Sequence, residues 1–234
     1  MHLVDVHKEN QALKEEVQRL KLDLAIQSEK ADAAKRLESL LGFRPPQGWS
    51  TSGARVVAQN YGPLGVLESI VIDKGKLQGI RSDLPVITPE GVVGRTFKVG
   101  LNFSTVLLFT DPNSRIPVIS SESRVQGVLS GQGYDQPLDV YYVELNAPLK
   151  EGEILKTSGT AGIYPKGLPV AEVDRVKRSD IHLFQIVEAS DLFSLRGKEE
   201  VLVLSRQRHL KEEYSGVEGV SPGLSGPELE DRER

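Results

Sequence analysis

The stretch "LKTSGTAGIYPKGLPVAEVDRV", Leu155–Val176, decides the fold. A Thr-Ser pair is followed by spaced glycines, a Tyr-Pro-Lys-Gly step, and a Leu-Pro-Val run that opens a new apolar segment. Such a stretch can be a serine nucleophile loop, a phosphate cradle, or a corner between strands. A serine hydrolase needs a histidine base within hydrogen-bond reach and a carboxylate to orient it. Ser158 lies in neither a Gly-x-Ser-x-Gly elbow nor a Gly-Asp-Ser-Gly-Gly loop, and the β-rich region has one histidine, His182 in "SDIHLF". A phosphate cradle needs a third glycine and a strand–loop–helix unit, which Gly131-Gln132-Gly133 does not supply. A corner fits best. Thr157 and Ser158 end a strand, Gly159 and Gly162 permit tight backbone conformations, and Pro165 and Gly167 take the second and fourth places of a type I turn.

Outward from that corner, short runs rich in Val, Ile and Leu alternate with Gly, Pro, Asp and Asn from Ala54 to Ser205. Strands are predicted near 55–59, 69–72, 84–88, 91–99, 104–109, 115–120, 125–130, 138–145, 154–157, 168–176, 184–189 and 201–205. The short connections exclude βαβ units and leave an all-β sandwich or barrel set. Local echoes suggest two similar units: "GIRSDLPVITPEGVVGRT" at 79–96 against "GIYPKGLPVAEVDRV" at 162–176, and "DKGKLQG" at 73–79 against "KEGEILK" at 150–156. The expected division is nested, six strands each: one β domain from 54–65 and 134–205, the other, 66–133, inserted.

Upstream the pattern changes. Leu3, Val6, Asn10, Leu13, Val17, Leu20 and Leu24 follow one another at steps of three and four, a heptad seam. With Leu3 at position a, Asn10 and Val17 also fall at a, and Leu13 and Leu20 at d. β-Branched a, leucine d and one polar a position specify a parallel two-stranded coil in fixed register. The flanks agree, since Glu9 would meet Lys14 of a second copy and Glu16 would meet Lys21. A coiled-coil dimerisation helix is therefore expected over 3–41, weakening beyond Leu24 and recovering at Leu37 and Leu41. A linker follows over 42–53. A polar, disordered tail is expected over 206–234, where Gly, Ser, Pro and Glu dominate.

Composition sets outer bounds. The net charge of −4 gives no basic footprint for nucleic acid, and no contiguous polybasic run marks a membrane surface. No run approaches the length of a membrane span. The absence of cysteine removes thiol chemistry and thiolate metal sites, and the scattered acids follow no calcium-loop pattern. No catalytic, cofactor or metal residue is assigned.

A coiled coil and a Gly/Pro linker, then "ARVVAQNYGPLGVLESIVIDKGKLQGIRSDLPVITPEGVVGRTFKV", "STVLLFTDPNSRIPVIS", "GVLSGQG" and finally the opening stretch resemble, in this order, the rod shape-determining MreC family. The Thr-Ser-Gly-x-x-Gly-x-x-Pro-x-Gly-Leu element is the most specific part, and Ala171 stands where the family usually has glycine. The resemblance implies two small β-barrels, a trypsin-like pair without the catalytic residues. It also implies a single-pass inner-membrane protein, anchored by a helix not in this chain, with this part in the periplasm or extracytoplasmic space. The implied role is a non-enzymatic, homodimeric scaffold of the cell-wall elongation complex. The implied partners are a class B penicillin-binding transpeptidase, RodA, MreD and MreB. Two other readings stay open: a peptidase using Ser158 and His182, and a periplasmic adaptor, which should carry a helical hairpin inside its β part.

Overall fold

The computed structural model describes residues 2–60, 68–133, 135–178, 183–194 and 196–207, with the side chains of residues 2–9, 12, 34, 38, 39 and 41 outside that description. One helix, α1 (His2–Leu41), precedes twelve strands. These are β1 (Trp49–Asn60), β2 (Ser69–Ile72), β3 (Pro85–Thr88), β4 (Gly91–Val99), β5 (Ser104–Leu108) and β6 (Arg115–Ser120), then β7 (Gln126–Ser130), β8 (Leu138–Tyr141), β9 (Ile154–Thr157), β10 (Pro169–Lys177), β11 (Ile186–Asp191) and β12 (Glu200–Arg206). They form two closed barrels of six strands, in the orders β1-β12-β3-β4-β5-β2 and β10-β11-β8-β7-β6-β9.

The first strand pairs with the last, Trp49 opposite Arg206 through Arg55 opposite Glu200. The rest of the expected division is corrected. The inserted barrel runs from Arg115 to Asp191, and residues 69–108 belong with β1 and β12. The reason lies in the long-range pairs that close each sheet. β2 meets β5 (Ile72 opposite Ser104), while β6 meets β9 (Ile119 opposite Lys156), and local strand pattern specifies neither pairing. The chain crosses between barrels at "TDPNS", 110–114. There buried Asp111 accepts hydrogen bonds from the backbone N–H of Glu68 (2.7 Å) and of Asn113 (2.7 Å). Thr110 Oγ1 donates to the Glu68 carboxylate at 2.6 Å. The linker is also shorter than expected, because Trp49–Gly53 already lie in β1. The tail beyond residue 207 lies outside the described residues.

Among the described residues, the C-terminal end of α1 is where the helix meets the barrels. Leu40, which is not a seam residue, is buried in the apolar core. Arg36 reaches Glu199 (2.6 Å), Glu200 (3.1 Å) and Glu29 (3.1 Å). The inserted barrel has a buried electrostatic tie of its own. Glu153 accepts hydrogen bonds from Ser123 N–H (3.0 Å), Ser123 Oγ (2.8 Å) and Lys150 N–H (3.1 Å), pinning the turns before β7 and β9. Burial pushes its pKa up, but these bonds and the Ser120 hydroxyl outweigh it and hold the carboxyl below its ordinary value. A depressed folded pKa stabilises fully above the unfolded pKa, and that contribution disappears as pH falls through the folded value. Glu153→Gln should therefore lower stability at neutral pH and flatten the acid side of the stability profile. Denaturant unfolding across a pH series measures both.

Candidate functional site

The opening corner is built around one buried threonine. Thr157 Oγ1 donates to Pro165 C=O (2.5 Å) and accepts from Leu168 N–H (3.0 Å). Its backbone bonds Leu168 C=O (2.8 Å) and Gly167 N–H (2.9 Å). Gly159, Gly162 and Gly167 all have positive φ, which glycine adopts without strain. The first barrel repeats the clamp. Thr96 Oγ1 donates to Arg81 C=O (2.6 Å) and accepts from Leu84 N–H (2.9 Å), while its backbone bonds Leu84 C=O and Asp83 N–H. This explains the Leu-Pro-Val echo. The threonine comes from the strand after the clamped turn in one barrel and from the strand before it in the other, so the likeness is local. The "DKGKLQG" and "KEGEILK" echo does not extend to structure: the first holds a 3-10 turn, the second a turn entering β9. Thr157→Val keeps the shape but orphans a buried C=O and N–H, and should cost about 2–3 kcal/mol. A thermal melt should read this as a drop of several degrees.

Ser158 is half-buried and occupied locally, with Oγ 2.9 Å from Thr160 Oγ1 and its N–H on Pro117 C=O (2.9 Å). His182 lies outside the described residues. Tyr164 is buried, and burial pushes its phenol pKa well up, opposed by the nearby Arg95 guanidinium of the first barrel. The strand that leaves the corner meets the first barrel at Gly91, where a Cβ would stand 2.5 Å from Pro169 O. Among the described residues no group of three His, Asp or Glu side chains could hold a metal ion.

The outer side of the same corner lines a groove of about 390 Å³. Ser158, Thr160 and Ala161 form one wall, with Pro117, Gly127 and Tyr142 around it. Tyr142 is 65% exposed and has φ +64°, a strained conformation for a residue with a Cβ. Its ring meets Phe184 edge-on at 5.7 Å, and Tyr141, Leu183 and Ile186 continue the exposed apolar face. Tyr141 donates to Asp139 (3.0 Å), and burial together with that carboxylate raises its pKa, so the phenol stays protonated. Sequence reading missed this face. Its only signal is "VYY" at 140–142, inside the strand expected over 138–145, which in fact ends at Tyr141, and "LF" at 183–184, where another strand is expected to begin.

The predicted dimerisation residues lie along α1. Asn10, Leu13, Lys14, Glu16, Val17, Leu20, Lys21 and Leu24 are exposed, while the side chains of Leu3, Val6 and Glu9 lie outside the description. Both sheets close on themselves, so their strand edges are largely taken up in ladders. Side-chain surfaces, not edges, dominate what the barrels offer.

An inserted pair of closed six-stranded barrels carried on a long N-terminal helix defines the architectural class. The family described as rod shape-determining protein MreC, barrel core, matches residues 56–205, and this chain belongs to it. It is 29% identical over 196 residues to the cell shape-determining protein MreC of Escherichia coli, covering 84% of this chain and 53% of that protein. The chain spans about half the length of the curated relatives it matches. A solved structure of MreC superposes with a TM-score of 0.67 at 26% identity, over 77% of this chain and 99% of that one. A chain in a solved complex between penicillin-binding protein PBP2 and MreC from Helicobacter pylori shares the fold, with a TM-score of 0.54, 16% identity, and coverage of 66% of this chain and 97% of that one.

Proposed function

We propose that this chain is the extracytoplasmic part of a non-enzymatic scaffold that maintains cell shape. It is held at the inner membrane by a segment preceding this one, dimerises through α1, and docks peptidoglycan synthases on the inserted barrel. The partners are a class B penicillin-binding transpeptidase first, with RodA, MreD and MreB in the same assembly. Family membership supports the setting, and the Helicobacter pylori complex supplies a precedent for the first partner. The observation that carries the docking reading is the exposed face of Tyr141, Tyr142, Leu183, Phe184 and Ile186 beside the corner groove. Exposed aromatic clusters of this kind mark protein contacts, and aromatic residues are enriched among interface hot spots.

Tyr142→Asp with Phe184→Asp should leave the melting temperature nearly unchanged and weaken transpeptidase capture from cells about tenfold or more. Undiminished capture would remove this face from the reading. Ser158→Ala and His182→Ala should each complement a deletion strain. Loss of complementation by well-folded forms of both would favour a hydrolase.

A further inference from the structure

The sequence has no contiguous basic run, yet the fold assembles one on the first barrel. The turn 74–79 and the β4–β5 hairpin tip are bonded together: Lys76 N–H to Gly100 C=O (2.9 Å) and Leu77 N–H to Leu101 C=O (3.1 Å). Gly75 lies so close that a Cβ there would stand 2.4 Å from Leu101 O, so only glycine lets the two loops meet. Three large apolar side chains project from this tip: Leu77 (70% exposed), Leu101 (66%) and Phe103 (53%). Lys74, Lys76 and Lys98 flank them and enter none of the described ion pairs, whereas the neighbouring acids Asp73 and Asp83 are paired with Arg55 and Arg95. Lys98 Nζ lies 5.9 Å from the centroid of the Phe97 ring.

We infer that this tip is a peripheral contact for an anionic lipid surface. The apolar groups protrude and line none of the described cavities, so a protein partner would have to bring the pocket, whereas a bilayer needs none. Much of the backbone of the turn 74–79 is bonded within the tip. Besides the two interloop bonds, Gln78 N–H bonds Gly75 C=O, Gly79 N–H bonds Lys76 C=O, and Gly100 N–H bonds Phe103 C=O. Gly75 N–H bonds Gln78 Oε1 (2.8 Å). These bonds lower the cost of bringing the turn to the headgroup boundary, and the contact is a shallow, interfacial one. Leucine and phenylalanine tips ringed by lysine are the composition that combines insertion with attraction to acidic headgroups. The helix is about 60 Å long, so a chain held at its N-terminus brings the tip to the same bilayer only when α1 lies along the surface. The contact is independent of the aromatic face on the other barrel.

Flotation of the full chain with vesicles tests it. The chain should float with vesicles containing about one-third phosphatidylglycerol, not with pure phosphatidylcholine, and binding should fall about tenfold or more at high salt. Leu101→Ser with Phe103→Ser should lose binding at any salt, and Lys74→Glu with Lys76→Glu and Lys98→Glu should lose the preference for acidic lipid. Leu101, Phe103, Lys76 and Lys98 are exposed and Lys74 is half-buried, and an unchanged melt confirms each fold. No flotation of the parent chain on acidic vesicles, or undiminished flotation of both variants, overturns the proposal. So does a result in which the vesicles fail and the variants instead abolish self-association in sedimentation or capture of a protein partner.

Discussion

Gly131→Ala should unfold the junction between the barrels. A Cβ at Gly131 would stand 1.9 Å from Thr110 O and 2.1 Å from Thr110 C, with Asp111 O at 2.6 Å. These are backbone atoms of the crossing segment and cannot rotate away. Thr110 and Asp111 are further fixed by their bonds to Glu68 and Asn113, so the crossing has little freedom to retreat. Ordinary overpacking costs about 1–3 kcal/mol, and a clash with immobile backbone on this scale should exceed about 3 kcal/mol. Insoluble expression or a melting point lowered by ten degrees or so is the expected readout. Gly53→Ala is the control. Nothing lies within 4 Å of its Cβ position and its φ is not positive, so stability should change by less than about 0.5 kcal/mol. Equal behaviour of the two variants would contradict the packing described for the junction.

The role of Gly131 also marks the limit of what the sequence discloses. The strand set was legible because valine-rich runs between Gly and Pro signals report local half-burial, and β2, β4, β6 and β9 fall on their predicted residues. The corner was legible in part: Gly159, Gly162 and Gly167 take the positive φ expected of them, but the N–H of Gly167 bonds Thr157 C=O and does not close the type I turn expected over 164–167. The partition into barrels was not. It depends on β2 meeting β5 and β6 meeting β9, and on buried carboxylates at Glu68 and Asp111 that in sequence look like ordinary surface acids. The aromatic face and the lysine-ringed tip were hidden likewise. Tyr142 and Phe184 stand 42 positions apart, and Lys76 and Lys98 22 apart, as their numbers give. A fold that assembles a surface from distant segments leaves no periodic trace of it.

Val17→Asp together with Leu20→Asp should abolish self-association while leaving the barrels intact. In the single chain Leu13, Val17, Leu20 and Leu24 are between 47% and 70% exposed, so the seam is uncovered unless a second copy supplies the other half. The docked end of α1 lies well away, with Leu20 and Arg36 separated by about 24 Å of helix, so the substitutions cannot disturb Arg36 or Leu40. Asn10 is exposed here and sits at position a, where burial is tolerable when it meets its own copy across the axis. Pairs such as Glu16 with Lys21 of a second copy add orientation and little energy, about 0.2–1 kcal/mol at an exposed flank. Glu16 is also within 4.0 Å of Arg19 on its own helix, which reduces the gain further. With about three good heptads the dimer should be weak at dilute concentration and strengthen when a tether raises the local concentration. Sedimentation should show the double variant monomeric at concentrations where the parent chain dimerises, and Asn10→Val should associate more tightly with less fixed orientation. Direction is read by crosslinking in this cysteine-free chain. Leu3→Cys should crosslink to its own copy, whereas crosslinking between Leu3→Cys and Leu24→Cys chains would mean that the helices run antiparallel and that Asn10 does not set the register.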